Sequence, residues 1–294
     1  MQGALFMKKT IAIVGMGEMG AGVAGRLVEN GIEVITVLSG RSAASAERAQ
    51  RAGVRVVASD AEMIEQADAF LSILPPAQAG ALADRIRPVI QAKKPAVTYV
   101  DCNAVAPETV KSIAAKFSAL GLPFIDAAII GPPPKPGAAV TRFYASGAEL
   151  SVFLELNSYG LDVRALGPLP GEAAALKMSY AGITKGFQAL ATAMVLGAKE
   201  YDVTDAFLNE LRTSQPMLLK WIVSELPRMV PKAHRWVGEM NEISLFLNSE
   251  QGASEIFAGA AKLYEAVAAD NAVGSESPRV KALDQFVAQE KGGV

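Results

Sequence analysis

The feature that most constrains this chain is an alternation in its first half, where short β-branched runs take turns with amphipathic stretches of helical period. The runs Thr10–Gly15, Glu33–Leu38, Val54–Val57, Ala69–Ile73, Val97–Asp101 and Phe124–Ile129 read as strands. Helices are expected around residues 19–29, 42–52, 60–65, 77–91 and 107–119. Gly or Pro marks most joints, among them Gly31, Gly53, Pro75-Pro76, Pro107 and Gly121. Strand and helix alternating at this length imply right-handed βαβ units and a parallel sheet. Residues 139–165 add a strand, a helix and a strand at an extended sheet edge.

Past Gly167 the character changes. Ala, Leu, Met, Glu and Lys recur at helical spacing, and few β-rich runs remain. One stretch runs unbroken from Glu172 to Glu200, about 43 Å of helix at 1.5 Å per residue. Shorter helices are expected near 204–212, 215–229, 232–248, 253–268 and 278–290. The fold class is therefore α/β, a Rossmann-type doubly wound parallel sheet over residues 7–167, followed by an all-α domain over 168–294.

Charge and cysteine usage narrow the function. A formal net charge of −2 gives no basic excess for nucleic acid, and no Lys/Arg block suits an anionic membrane. One Cys and one His cannot make a structural metal site, so no metal is expected. A single cysteine fits a reducing compartment, and a cytoplasmic protein acting on a small molecule is the expectation.

Thr10-Ile-Ala-Ile-Val-Gly15-Met16-Gly17-Glu18-Met19-Gly20 is a strand that runs into a Gly-x-Gly-x-x-Gly loop opening a helix. Each glycine has a separate job. Gly15 permits the tight turn, Gly17 admits a pyrophosphate to the backbone, and Gly20 lets helix and strand pack closely. The helix N-terminus then presents unpaired amides to the phosphates. NAD sites place an acid about 20 residues past the glycines to hold the ribose hydroxyls. Here the second strand ends in Leu38-Ser39-Gly40-Arg41-Ser42, with no carboxylate. Arg41 suits a 2′-phosphate, with Ser39 and Ser42 as donors, so NADP (NADPH) is the expected cofactor.

These motifs resemble the β-hydroxyacid dehydrogenase superfamily, which includes 6-phosphogluconate and 3-hydroxyisobutyrate dehydrogenases. The glycine loop is similar to the family's Gly-x-Gly-x-Met-Gly form. Ile73-Leu74-Pro75-Pro76 resembles its Leu-Pro turn over the cofactor, and Asp101-Cys102-Asn103 resembles its Asp-x-Ser-Thr turn beside the nicotinamide. Gly171 followed six positions later by Lys177 has the spacing of the family's catalytic lysine. The resemblance implies an oxidoreductase transferring a hydride between nicotinamide and a hydroxyl or carbonyl carbon. Lys177 would act as general acid in reduction and as base in oxidation, a role that needs a lysine poised near the working pH.

Several positions depart from the pattern. Where the family has asparagines after the lysine, this chain has Tyr180 and Ala181. Tyr180 lies one turn from Lys177, placed to hydrogen-bond or to pack. The family's Asp-x-Pro-Val-Ser-Gly-Gly substrate loop corresponds to Asp126-Ala-Ala-Ile-Ile130-Gly131-Pro132, which replaces two carboxylate donors with Ile130 and Pro132. A substrate unlike the family's small β-hydroxy acids is expected. In the helical domain Trp236, Met240, Ile243 and Leu247 make an apolar stripe, and Arg235 with Trp236 forms a candidate pocket wall. Arg235 and Glu239 stand at ion-pair spacing. Two other readings stay open: an imine reductase on the same fold, and a non-catalytic NADP-binding sensor or scaffold. The long helix and the apolar second domain suggest a homodimer.

Overall fold

The computed structural model describes residues 9–135, 140–274 and 277–292. The chain divides into two compact units after Met178, inside the longest helix. The first unit runs β1 (Thr10–Val14), α1 (Glu18–Glu29), β2 (Glu33–Thr36), α2 (Ala43–Arg51), β3 (Arg55–Val56), α3 (Asp60–Gln66) and β4 (Ala69–Ser72). A short 3-10 turn, Pro76–Gln78, leads into α4 (Ala79–Lys93), β5 (Thr98–Asp101), α5 (Pro107–Ser118) and β6 (Phe124–Ile130). Then come β7 (Arg142–Ser146), α6 (Ser151–Leu154), β8 (Asp162–Gly167) and α7 (Glu172–Glu200).

Among the described residues the sheet has eight strands, in the order β3-β2-β1-β4-β5-β6-β7-β8. All neighbouring pairs are parallel except β6 with β7, which is antiparallel. The sheet is thus mostly parallel, as expected, with one antiparallel pair where residues 139–165 extend its edge. Only residues 131–141 join the two strands, fewer than the dozen or so that a parallel crossover requires. The order reverses between β1 and β4, and in open α/β sheets such a switch point is where ligands bind, outside the carboxyl ends of the strands.

Both faces of the sheet are covered, which is why the strands are almost continuously apolar. Successive side chains point to opposite faces. Ile11, Ile13, Leu27, Val100 and Phe143 fill one core, and Ala12, Ile35, Phe70, Tyr99 and Phe117 fill the other. In the second core Phe70, Tyr99 and Phe124 stack across three neighbouring strands at 5.2 and 5.8 Å between ring centroids. Each such buried ring contributes roughly 1.5–3 kcal/mol.

One row of the sheet has a different chemistry. Val14, Ser72, Asp101, Asp126 and Ser146 stand in register on β1, β4, β5, β6 and β7. In-register neighbours share a face, so four buried polar side chains lie side by side, level with the carboxyl ends of β1, β4 and β5.

The second unit continues α7 and adds α8 (Thr204–Ser214), α9 (Pro216–Met229), α10 (Ala233–Phe246), α11 (Gln251–Val273) and α12 (Pro278–Gly292). Pro216 and Pro278 open their helices where no amide donor is needed. Trp236, Met240 and Ile243 of α10 are buried, as the stripe implies, and Trp236 meets the fully buried Tyr264 of α11 edge-on at 5.4 Å. Among the described residues no helix is long and apolar enough to cross a membrane.

Candidate functional site

The glycine loop joins β1 to α1 at the switch point. Gly15 has φ +109°, and a Cβ there would sit 2.0 Å from the Ile73 carbonyl oxygen, just past β4. A Cβ on Gly20 would sit 1.9 Å from the Gly15 carbonyl oxygen. Both glycines are forced by contact within the protein. Gly17 differs: a Cβ there would meet nothing within 4 Å. Its backbone faces open space, the cradle that an approaching diphosphate requires. Met16 is buried, so its side chain belongs to the core and only its backbone is available to a ligand. Met19 packs partly against the same core, and Glu18 is exposed in the first turn of α1. Arg48 of α2 reaches back and donates from Nε to the Met16 carbonyl at 2.8 Å. Nothing in the local sequence around Arg48 marks this tie, which spans 32 positions.

At the end of β2, Ser39 is exposed and Gly40 takes φ +71°, turning the chain toward Arg41. Ser42 caps α2, its Oγ accepting from the Ser45 amide at 3.3 Å. The Arg41 guanidinium lies at the surface, at the 3.5 Å limit of a contact with Gln78. Beyond β4, Leu74 is half-buried and Pro75 exposed.

Asn103 is committed to the protein. Its Oδ1 accepts from the Leu74 amide at 2.6 Å, and its Nδ2 donates to Ser72 Oγ at 2.8 Å and Asp101 Oδ1 at 2.7 Å. It therefore fixes the shape of the Leu74-Pro75 turn. Cys102 beside it is buried, and burial pushes its thiol well above the ordinary range, the state of a packed rather than a reactive cysteine.

Asp101 and Asp126 are cross-strand neighbours, both buried. Burial raises the Asp101 carboxyl to about 7; hydrogen bonds from Asn103 oppose the rise and the Asp126 charge adds to it. Among the described residues Asp101 Oδ2 has no hydrogen-bond partner. Burial also raises Asp126, but amides of Ala174 and Gly171 counter the shift. Those amides belong to the start of α7. Gly171 there takes φ +104°, and a Cβ on it would lie 3.0 Å from Lys111 Cε. The left-handed backbone accounts for a glycine six positions ahead of Lys177. The Lys177 ammonium, half-buried, donates to the Ile129 carbonyl at 3.0 Å, near the end of β6.

The structure thus brings the glycine loop, Leu74, Asn103 and Lys177 to the carboxyl edge of one set of parallel strands. Ile130 is half-buried, and Gly131 is exposed with φ +126°. Thr141 donates to the Pro132 carbonyl at 2.5 Å and ties this loop to β7. A cavity of about 430 Å³ runs along α1 and α2 with Pro134 and Lys135; it reaches Glu18 and Arg48 beside the glycine loop and includes neither Gly15 nor Lys177. In the second unit Tyr180 is 53 % exposed, while Arg235 and His234 are exposed on α10. Glu239 forms an ion pair with Lys185 of α7, 54 positions away, and the Lys185 ammonium lies 5.3 Å from the Trp236 ring centre. Sequence spacing offered Arg235 to Glu239 and gave no sign of Lys185.

With this geometry in view, comparison with known proteins is direct. Residues 10–152 match the family model described as the NAD binding domain of 6-phosphogluconate dehydrogenase, and residues 198–267 match a domain of unknown function, DUF1932. The first unit holds a domain of the NAD(P)-binding kind, and the chain is similar to the β-hydroxyacid dehydrogenase-like superfamily. Among individual proteins, it is 29% identical over 143 residues to the mitochondrial 3-hydroxyisobutyrate dehydrogenase of Drosophila melanogaster, spanning 48% of this chain and 43% of that one. A solved conserved protein of unknown function, described as structurally similar to 3-hydroxyacid dehydrogenases, shares 28% identity with a TM-score of 0.68 over 90% of this chain and 99% of its own. The 3-hydroxyisobutyrate dehydrogenase of Mycobacterium tuberculosis shares the fold at 18% identity and a TM-score of 0.70, over 95% of this chain and 99% of its own.

Two predictions follow from the loop and the carboxylates. Gly17→Ala is expected to leave stability within about 0.5 kcal/mol while weakening NADPH binding at least tenfold, read by fluorescence titration. Gly20→Ala destabilises by about 3 kcal/mol in urea unfolding. Comparable stability losses in both variants would contradict the open-cradle reading. The second concerns pH. The folded Asp101 carboxyl titrates above its unfolded counterpart, so its stabilising effect is complete below about pH 4 and is lost as pH rises through about 7. Thermal melts between pH 5 and pH 8 should show wild type losing stability relative to Asp101→Asn as pH rises; parallel curves would refute this.

Proposed function

We propose that the protein is an NADP-dependent dehydrogenase or reductase acting on a hydroxyl or carbonyl carbon of a small molecule, with Lys177 as the general acid and base. The observation that carries this reading is the Lys177 ammonium on the Ile129 carbonyl, at the strand edge that also bears the glycine loop. The open face of Gly17 fits a dinucleotide diphosphate, which would be held by the loop amides and the positive end of α1. Arg41, with Ser39 and the Ser42 hydroxyl, would take the 2′-phosphate, since no carboxylate stands there to prefer a bare ribose. Leu74 and Pro75, shaped by Asn103, would border the nicotinamide.

When bound, the cofactor supplies or accepts the hydride. The chain's own task is the proton. In reduction the Lys177 ammonium donates to the developing alkoxide, and in oxidation the neutral amine removes the hydroxyl proton. The hydrogen bond to the Ile129 carbonyl aims the ammonium toward the strand edge. Ile130 and Pro132 offer no side-chain hydroxyl and no amide to a carboxylate, which favours a substrate less anionic at that point than a small β-hydroxy acid.

We also infer a homodimer built on α7. Tyr180, Ile183, Phe187, Leu190 and Met194 are 53, 65, 43, 56 and 51 % exposed and recur at spacings of three and four. Lys185, paired to Glu239, is the only charged residue between Met178 and Lys199. The five side chains leave on the order of 500 Å² of apolar surface open, a large part of the roughly 800 Å² that a standard interface takes from each partner.

The activity is tested by following NADPH oxidation against aldehydes, ketones, keto acids and imines. Lys177→Met should lower kcat by about 10²–10⁴-fold with NADPH binding retained, and Arg41→Ala should raise KM for NADPH far more than for NADH. Full turnover in Lys177→Met, or equal effects on the two cofactors, would overturn the respective assignments. For assembly, Leu190→Glu should convert a dimer to a monomer in light scattering; a wild-type monomer would exclude the α7 interface.

A further inference from the structure

The proton-donor reading places a demand on α7: the position of the Lys177 ammonium is set by how that helix registers against β6. Its first turn has an unusual cap. Gly171 precedes Glu172 and has no side chain to offer the orphan amides. A strand supplies the acceptor instead. Asp126 Oδ2 accepts from the Gly171 amide at 2.9 Å, the Ala174 amide at 3.0 Å and the Ser146 hydroxyl at 3.2 Å. Ser146 Oγ in turn accepts from the Ala173 amide at 3.1 Å. Three amides at the start of α7 are thus held by two side chains of the in-register row.

The spacing along both elements matters. Lys177 stands three residues beyond Ala174 on α7, and Ile129 stands three residues beyond Asp126 on β6. The same strand therefore grips the same helix twice, through Asp126 at its start and through the Ile129 carbonyl at Lys177. A single grip would let the helix pivot about it, whereas two fix its rotation and its advance. A displacement of about 1 Å in a reacting group is enough to cost on the order of a hundredfold in rate.

We propose that Asp126, assisted by Ser146, is a positioning residue for Lys177: it sets the register of α7 on β6 so that the ammonium lands at the carboxyl edge of the sheet, and it touches neither substrate nor cofactor. This inference rests on Lys177 as the proton donor. It assigns the buried carboxylate a task separate from the glycine loop, which β1 carries.

The test compares Asp126→Ala, Asp126→Asn and Lys177→Met in the full chain. All three donors converge on one carboxylate oxygen, so asparagine can return an oxygen to that place while alanine cannot. Asp126→Ala should lower kcat at least thirtyfold, with the Kd for NADPH within twofold of wild type; Asp126→Asn should recover activity to within fivefold. A second readout needs no substrate. In protein reductively methylated with carbon-13 formaldehyde, the Lys177 resonance, identified by its absence from Lys177→Arg, should shift in Asp126→Ala and return in Asp126→Asn. If Asp126→Ala folds and binds NADPH with kcat within twofold and an unmoved Lys177 resonance, while Lys177→Met is inactive, the positioning role is overturned and the proton-donor reading survives. Full turnover in Lys177→Met removes the reading on which both depend. Should Asp126→Ala fail to fold, Ser146→Ala decides: a three- to tenfold loss of kcat with a shifted resonance supports the role, and no change in either overturns it.

Discussion

A row of polar side chains crossing the sheet underlies the rest of this structure. Ser72, Asp101, Asp126 and Ser146 stand in register on four adjacent strands and are 0, 1, 2 and 0 % exposed. Burying two carboxylates side by side is unfavourable unless something nearby accepts the charge or the proton. The two acids resolve the conflict differently. Asp126 is surrounded by donors, two of them amides from the start of a helix, where a negative charge is welcome. Asp101 serves the Asn103 turn through one oxygen and leaves the other unpartnered among the described residues, a setting that favours the proton-bearing form.

The division of labour has a spatial logic. Asp101 governs the turns through Asn103, and Asn103 governs the Leu74 amide. Asp126 governs the helix that carries Lys177. One polar row therefore supports both the Leu74-Pro75 turn at the strand edge and the helix that carries Lys177. The same buried groups that hold the strands and α7 together also fix where the turn and the Lys177 side chain lie.

Much of the fold was legible from the sequence because its signals are local. Six strands, the glycine loop and the span Glu172–Glu200 all declared themselves through periodicity and punctuation. The burial of Trp236, Met240 and Ile243 was equally readable, as helical period alone determines it. Tertiary partners were not. Arg48 meets the Met16 carbonyl across 32 positions, Lys185 meets Glu239 across 54, and Asp126 meets the Ala174 amide across 48. No spacing rule connects residues so far apart. Asn103 shows the same limit: the family resemblance set it beside a nicotinamide, and nothing in the local sequence announced its hydrogen bonds to Ser72, Leu74 and Asp101.

The contrast among the three loop glycines has an energetic consequence. Gly15 and Gly20 are pressed against carbonyl oxygens, and the Arg48 guanidinium clasps the Met16 carbonyl between Gly15 and Gly17. The loop is thus braced from inside, and only the side next to Gly17 is left bare. A ligand arriving there meets a backbone already held in place and does not have to order it first. Association loses little chain entropy in that case, so affinity reflects the contacts formed rather than the cost of shaping the cradle.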